Sequence, residues 1–157
     1  MGDQKESLRI FIDADACPVK DEVYRVAQRF DLEVIVVSNS YMRMPSKGRV
    51  TAVVVGSGAD VADDWIAEHA DDGDIVISAD IPLASRCLAK GAAVLGPTGR
   101  LFTEDNIGDA LASRELMSQL RDLGMNTGGP APLQKADRSR FLQQLDQLIQ
   151  RIRREKQ

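Results

Sequence analysis

Short runs of apolar residues alternate with segments of helical spacing along most of the chain. The apolar runs cover residues 8–13, 32–38, 50–55, 74–78 and 92–95, and each has the length of a buried strand. Strands that alternate with helices predict a parallel sheet. We therefore expect an α/β fold, a three-layer sandwich whose mainly parallel central sheet has four to five strands.

The intervening segments place apolar side chains on one face of each predicted helix. The helices are expected at about 18–30, 58–70 and 81–90, then from Thr103 to about 120, and finally over 136–154. A Gly/Pro-rich loop at 124–135 precedes the last helix, and one domain over 1–157 accounts for the whole chain. The apolar stripe of the last helix would be buried either against the domain or against a second copy of the chain, so both a monomer and a homo-oligomer are compatible with the sequence.

The first apolar run ends in two carboxylates one residue apart, Asp13 and Asp15. Ligands bind outside the carboxyl ends of strands in open α/β sheets. Both side chains of an extended Asp-Ala-Asp segment point to the same side, and their repulsion is relieved by a cation or a proton. The pair predicts a site for Mg²⁺ or Mn²⁺. A structural alternative is that one aspartate caps the helix that Pro18 begins.

Further acidic groups follow or precede the other predicted strands. Asp60, Asp63 and Asp64 begin the second helix, Asp80 closes the stretch Ile75-Val76-Ile77-Ser78-Ala79, and Glu104, Asp105 and Asn106 begin the fourth helix. In a parallel sheet all of these groups would meet at one edge, although acids in a first helical turn also serve the helix dipole. The convergence of these groups is the main argument from the residues for a cation site at that edge, and Ser38, after the second strand, could bind a phosphate or a metal-bound water as an accessory group.

The overall charge limits the kind of partner. A net charge of -4 argues against a protein that coats nucleic acid over its whole surface. A local nucleic-acid-binding site is still predicted in the loop before the third strand. Arg43, Lys47 and Arg49 accompany Tyr41 and Met42 there, and this mixture of cationic, aromatic and apolar side chains suits a single-stranded nucleic acid. A second basic group comprises Arg86, Lys90 and Arg100.

The location of the protein is predicted from three features. No apolar stretch approaches the roughly 20 residues of a membrane span, the first seven residues are too polar for a signal peptide, and Cys17 and Cys87 lack the spacing of zinc ligands. We expect a cytoplasmic protein with reduced thiols.

The octet Asp13-Ala14-Asp15-Ala16-Cys17-Pro18-Val19-Lys20 strongly resembles the YaiI/YqxD family of bacterial proteins. The resemblance implies a PIN-like nuclease fold whose clustered acids bind Mg²⁺ or Mn²⁺ for phosphodiester hydrolysis, with Asp13, Asp63 and Asp80 as catalytic residues. The metal ligands that it implies are Asp13, Asp15, Asp63 and Asp80, with Asp60 and Asn106 as accessory groups. The chain departs from that pattern after Asp80, where PIN-like catalysts often have a further acid. Further stretches match the family: Ala62-Asp63, Asp80-Ile81-Pro82-Leu83-Ala84, Asn106-Ile107, Gly128-Gly129-Pro130, Asp137-Arg138 and Phe141.

Three functions follow as hypotheses. The leading one is a metal-dependent nuclease acting on RNA or another single-stranded nucleic acid. The second is a phosphatase of the haloacid dehalogenase type, in which Asp13 is the nucleophile, Asp15 an acid and Ser38 part of a second motif. The third is a catalytically inactive module that binds nucleic acid or another partner.

Overall fold

The structure is a computed structural model that describes residues 8–58, 60–125 and 132–156. Within these residues the strands are β1 (Arg9–Asp13), β2 (Glu33–Ser38), β3 (Arg49–Val54), β4 (Ile75–Ile77), β5 (Ala93–Leu95) and β6 (Leu101–Phe102). The α-helices are α1 (Lys20–Phe30), α2 (Val61–His69), α3 (Ile81–Ala89), α4 (Glu104–Asp122) and α5 (Lys135–Glu155), and a 3₁₀ turn spans Ala14–Ala16.

The strands form one sheet in the order β3-β2-β1-β4-β5-β6. The first five strands are parallel, so the predicted α/β fold is confirmed. The sheet has one strand more than expected, because β6 has two residues, too few to show an apolar period, and pairs antiparallel with β5.

Alternating side chains of the central strands supply two separate cores. Ile10 and Ile12 face α1 and α5, where Val23 and Phe141 are also buried. Phe11 and its neighbours face the opposite layer of α2, α3 and the start of α4. This is the three-layer arrangement that the sequence predicts, and each layer buries the apolar face of its helices.

The connections change direction between β1 and β4. From β1 the chain continues outward through β2 to β3, and then α2 brings it back to β4 on the other side of β1. A crevice forms at the carboxyl ends of two such neighbouring strands, and it is the preferred ligand site of open α/β sheets. We call the side of the sheet where the parallel strands end the carboxyl edge, and the side where they begin the amino edge.

The last helix is one residue longer at each end than predicted, and it packs on the domain itself. Its buried residues include Phe141, Leu145 and Ile149, so its apolar stripe is covered by this chain. Arg138, near its start, donates hydrogen bonds to the Pro18 carbonyl oxygen and to Glu22, both at 3.0 Å. Part of the predicted Gly/Pro-rich loop, including Gly128-Gly129-Pro130, lies outside the described residues. No helix in the described part has the length and apolarity needed to cross a membrane.

Candidate active site

Two aspartates meet through one serine at the carboxyl edge between β1 and β4. The Ser78 hydroxyl donates a hydrogen bond to Oδ2 of Asp13 at 3.0 Å and accepts one from the Asp80 backbone N–H at 3.0 Å. Asp80 in turn caps α3, since its Oδ1 accepts from the Leu83 N–H at 2.8 Å. Asp13, by contrast, makes no capping hydrogen bond with its side chain. The N-cap of α1 is Val19, so the alternative that Asp13 or Asp15 caps this helix is wrong, whereas Asp80 does cap α3.

Asp63, from the first turn of α2, joins the same cluster. Burial, followed by the negative charges of Asp80, Asp13 and Asp60, raises the pKa of Asp63 to about 7, and a hydrogen bond between the Asp63 and Asp80 side chains adds to the effect. Burial also raises the pKa of Asp13, against the opposing effect of the Ser78 hydrogen bond and with the charges of Asp80 and Asp15 adding to the rise. Three acids that lie 67 positions apart at most in the sequence thus share one electrostatic environment.

The turn after β1 is held by a lysine. Nζ of Lys20 donates to the carbonyl oxygens of Ala14 at 3.2 Å and Cys17 at 2.9 Å. This turn presents Asp15 at the exposed rim of the crevice, where its Oδ2 accepts a hydrogen bond from the Asn39 N–H at 3.0 Å. The octet therefore acts as one unit, in which the first aspartate enters the crevice and the lysine fixes the turn that follows.

Two predicted accessory groups make local hydrogen bonds instead. The buried Ser38 hydroxyl donates to the Ser40 carbonyl oxygen at 2.6 Å. Asn106 forms a capping box with Thr103 and donates to the Leu101 carbonyl oxygen at 3.0 Å. Both arrangements are typical of turns and helix caps.

The acids at the start of α4 do not join the other three groups. Because β6 runs antiparallel, it leads the chain back toward the amino edge before α4 begins. Glu104 there lines a cavity with Asp72 and Gly91, which precede β4 and β5. The expectation that all acidic groups meet at one edge is wrong for this group, since it assumed that every strand is parallel.

The predicted basic residues do not gather at the carboxyl edge either, and several of them already have hydrogen-bond partners. Arg49 lies at the amino edge, where it donates to the Asp31 carbonyl oxygen at 2.8 Å, while Arg43 and Lys47 are exposed on the loop that leads there. In the second basic group, Arg86 pairs with Asp64 at 2.7 Å, and Lys90 donates to the Ala67 carbonyl oxygen at 2.8 Å.

Three residues of this region were not predicted to be part of the site. Ser78 joins the two central acids, Lys20 holds the turn, and Arg138 ties that turn to α5. The available signal for Ser78 was a polar residue directly after a fully apolar strand. Lys20 contacts backbone carbonyl oxygens, which a side-chain pattern does not reveal. Arg138 contacts the Pro18 carbonyl oxygen and the Glu22 carboxylate 116 positions away, a pairing that a local pattern does not reveal either.

The chemistry of the donor atoms in the cluster is that of a hard cation site. Asp13, Asp63 and Asp80 provide carboxylate oxygens, which suit Mg²⁺ and Mn²⁺ better than a soft metal. Over residues 8–58, 60–125 and 132–156, no three histidine, cysteine or acidic side chains form a ready-made ligand group for an ion. The cluster in the structure rests on pairwise contacts.

Replacing Asp63 with asparagine should stabilise the protein in a chelator at neutral pH. Below about pH 4 the carboxyl is protonated in both the folded and the unfolded chain; above that the unfolded chain ionises first, so stability falls as the pH rises through about 7. Allowing for solvent screening, we expect the melting temperature of Asp63→Asn at pH 8 to exceed that of the parent by about 2–4 °C. Thermal melts between about pH 4 and pH 8 measure this difference.

Asp64→Asn is the matched control, because it also removes an acid from the first turn of α2. Asp64 pairs with Arg86 instead of facing other acids, so this variant should melt at or slightly below the parent temperature. If both variants fall below the parent at pH 8, Asp63 is only a helix-dipole acid and does not share a site with Asp13 and Asp80.

Comparison with known proteins adds the family to this geometry. The model of a family described as uncharacterised BCR, YaiI/YqxD family, matches residues 11–151. A UPF0178 protein of Rhodospirillum centenum is 58% identical over 151 residues, covering 94% of this chain and 98% of that protein. A UPF0178 protein of Brucella ovis is 52% identical over 155 residues, covering 98% and 96%. No solved structure matches the chain.

Proposed function

This chain belongs to the YaiI/YqxD family, and we propose that it is a divalent-metal-dependent nuclease that hydrolyses phosphodiester bonds of RNA. The observation that supports this most is the joint position of Asp13, Asp63 and Asp80 in the crevice between β1 and β4. Like charges are costly to hold together without a cation, and clustered acids of this kind are a common solution for phosphoryl chemistry.

Each acid has a distinct role in the proposal. Asp13 and Asp80, linked by Ser78, would hold Mg²⁺ or Mn²⁺ from two neighbouring strands, and Asp63 would complete the ligand set from α2. Asp15 adds a fourth carboxylate at the exposed rim. A bound cation supplies charge neutralisation at the phosphate and lowers the pKa of a water molecule. Ser78 and Lys20 act as positioning residues, since each holds the backbone or carboxylate of another group.

The loop after β2 is the proposed binding surface for parts of the nucleic-acid strand that lie farther from the scissile bond. Its exposed Tyr41, Arg43 and Lys47 combine a ring for stacking with cations for phosphate. Arg49 is not part of this proposed binding surface, because its guanidinium donates a hydrogen bond to the Asp31 carbonyl oxygen at the amino edge of the sheet.

The phosphatase alternative would place a hydroxyl of the second motif beside the nucleophilic aspartate. Here the hydroxyl that contacts Asp13 is that of Ser78, at the end of β4, while the Ser38 hydroxyl is directed to a local carbonyl oxygen. This geometry favours metal-dependent hydrolysis of a phosphodiester over nucleophilic attack of Asp13 on a phosphate.

A paired assay tests the proposal. The purified chain is incubated with end-labelled single-stranded RNA and, separately, with p-nitrophenyl phosphate, each with Mn²⁺, with Mg²⁺ and with EDTA. We expect cleavage of RNA with either metal, loss of cleavage in EDTA, and no turnover of the phosphomonoester. Turnover of the phosphomonoester alone would identify a phosphatase. Binding of RNA without cleavage under any metal condition would identify the inactive binding module.

A further inference from the structure

A cleft of about 350 Å³ opens beside the acidic cluster, between α3 and α4. Asp80 and Ile81 line it from the start of α3, and Ser113, Arg114 and Met117 line it from α4. Asp80 also belongs to the acidic cluster, so the cleft adjoins the proposed active site. Its volume lies in the range of small-ligand pockets, large enough for part of a nucleotide.

The position of α4 follows from the antiparallel strand before it. Since β6 returns the chain toward the amino edge, α4 begins there and runs back along α3 toward the carboxyl edge. The middle and second half of α4, from Asp109 onward, consequently reach the cleft, although the first turn of the helix does not. Arg100, which lies at the carboxyl edge just before β6, contributes to the same cleft.

The two arginines of the cleft have their charges available. The guanidinium of Arg100 lies over the ring of Phe102, 4.9 Å from its centroid, a stacking that leaves its N–H edge available to an anion. Among the residues that the structure describes, neither Arg100 nor Arg114 has a carboxylate partner. Arg86, also close to the site, is already paired with Asp64.

We propose that this cleft binds the backbone of a single-stranded nucleic acid next to the scissile bond, with Arg100 and Arg114 each contacting a phosphate. This inference rests on the nuclease function proposed above. The two cations offset the charges of Asp80 and Asp109 in the lining, so an anionic backbone meets no net repulsion there. Ile81 and the partly exposed Met117 provide apolar surface for a sugar or base.

The test compares two double variants with the same change in net charge. Arg100→Gln/Arg114→Gln removes the cations of the cleft, whereas Arg25→Gln/Arg154→Gln removes two exposed cations from α1 and α5, in the layer on the other face of the sheet. Binding of a short fluorescein-labelled oligouridylate is measured by anisotropy in EDTA at about 50 to 200 mM salt, and KM and kcat are measured with Mn²⁺.

We expect the cleft variant to bind roughly ten-fold more weakly and to lower the salt slope by about 1.4, twice the value of about 0.7 per phosphate contact for single strands. KM should rise more than kcat falls, and Arg100→Lys/Arg114→Lys should recover most of the affinity. The control should keep both the slope and KM.

Equal effects in the two variants, an unchanged slope in the cleft variant, or no binding of the oligonucleotide by the parent would overturn the inference. Metal-dependent cleavage by a cleft variant with unaltered KM and slope would leave the nuclease function standing and reject the cleft. If the parent binds the oligonucleotide through the two arginines but never cleaves it, the cleft is supported as a binding site and the nuclease function is rejected.

Discussion

Replacing Asp13 or Asp80 with asparagine should lower metal-dependent RNA hydrolysis by at least about 100-fold. Loss of a residue that merely supports a metal ligand costs about 10- to 100-fold, and removal of a ligand should cost at least as much. Asparagine keeps the acceptor oxygen that Ser78 contacts at Asp13, and it is a good helix cap at position 80, so both variants should fold. Single-turnover cleavage measures the loss of activity, and titration calorimetry measures the loss of Mn²⁺ affinity that we expect with it.

Asp105→Asn is the control for this comparison. This substitution changes the net charge by the same amount, but Asp105 lies with Glu104 in the first turn of α4, away from the carboxyl edge. Its activity and Mn²⁺ affinity should match those of the parent. Unchanged Mn²⁺ affinity in both Asp13→Asn and Asp80→Asn would rule out the proposed cation site.

Replacing Asp74 with alanine should destabilise the fold by about 3 kcal/mol. Asp74 is fully buried at the amino edge and accepts hydrogen bonds from Nη2 of Arg9 at 2.8 Å, from the Arg9 N–H at 3.0 Å and from the Asp71 N–H at 2.9 Å. Removing the carboxylate leaves these donors, one of them charged, without that acceptor. A fall in melting temperature of roughly 6–12 °C should follow, measured by thermal melts and urea titration.

Asp72→Ala provides the comparison for Asp74. Asp72 is exposed and pairs with Lys156 at the surface, so its loss should change stability by less than about 1 kcal/mol. Asp74→Asn, which keeps one acceptor oxygen, should fall between the two alanine variants. If Asp74→Ala and Asp72→Ala melt together, the Arg9–Asp74 pair makes no special contribution to the fold.

The charged pair illustrates how the two ends of the same strands are used differently. At the amino edge, Asp74 is neutralised by Arg9 and the pair serves folding. At the carboxyl edge, Asp13, Asp63 and Asp80 face one another, and burial, together with their mutual repulsion, raises the pKa of Asp63 to about 7. A group held against its own electrostatic preference is a candidate for function, because folding alone gives no reason to place it there.

Much of this arrangement is determined by local sequence. The alternation of apolar runs with helical segments determines an α/β fold, because buried parallel strands and one-sided helices have different apolar periods. The position of Asp13 directly after the apolar residues of β1 places it at the carboxyl edge of any parallel sheet. The same argument located Asp80 next to β4.

Other features were decided only by the tertiary structure. The direction of β6 depends on pairing with β5 and not on its own two residues, and this direction moved Glu104, Asp105 and Asn106 away from the acids while bringing Arg114 toward them. The Ser78 hydroxyl contacts Asp13, 65 positions away in the sequence, and the pKa of Asp63 depends on burial and on the charges of Asp80, Asp13 and Asp60. Such properties arise from distances between elements, which a pattern along one chain does not contain.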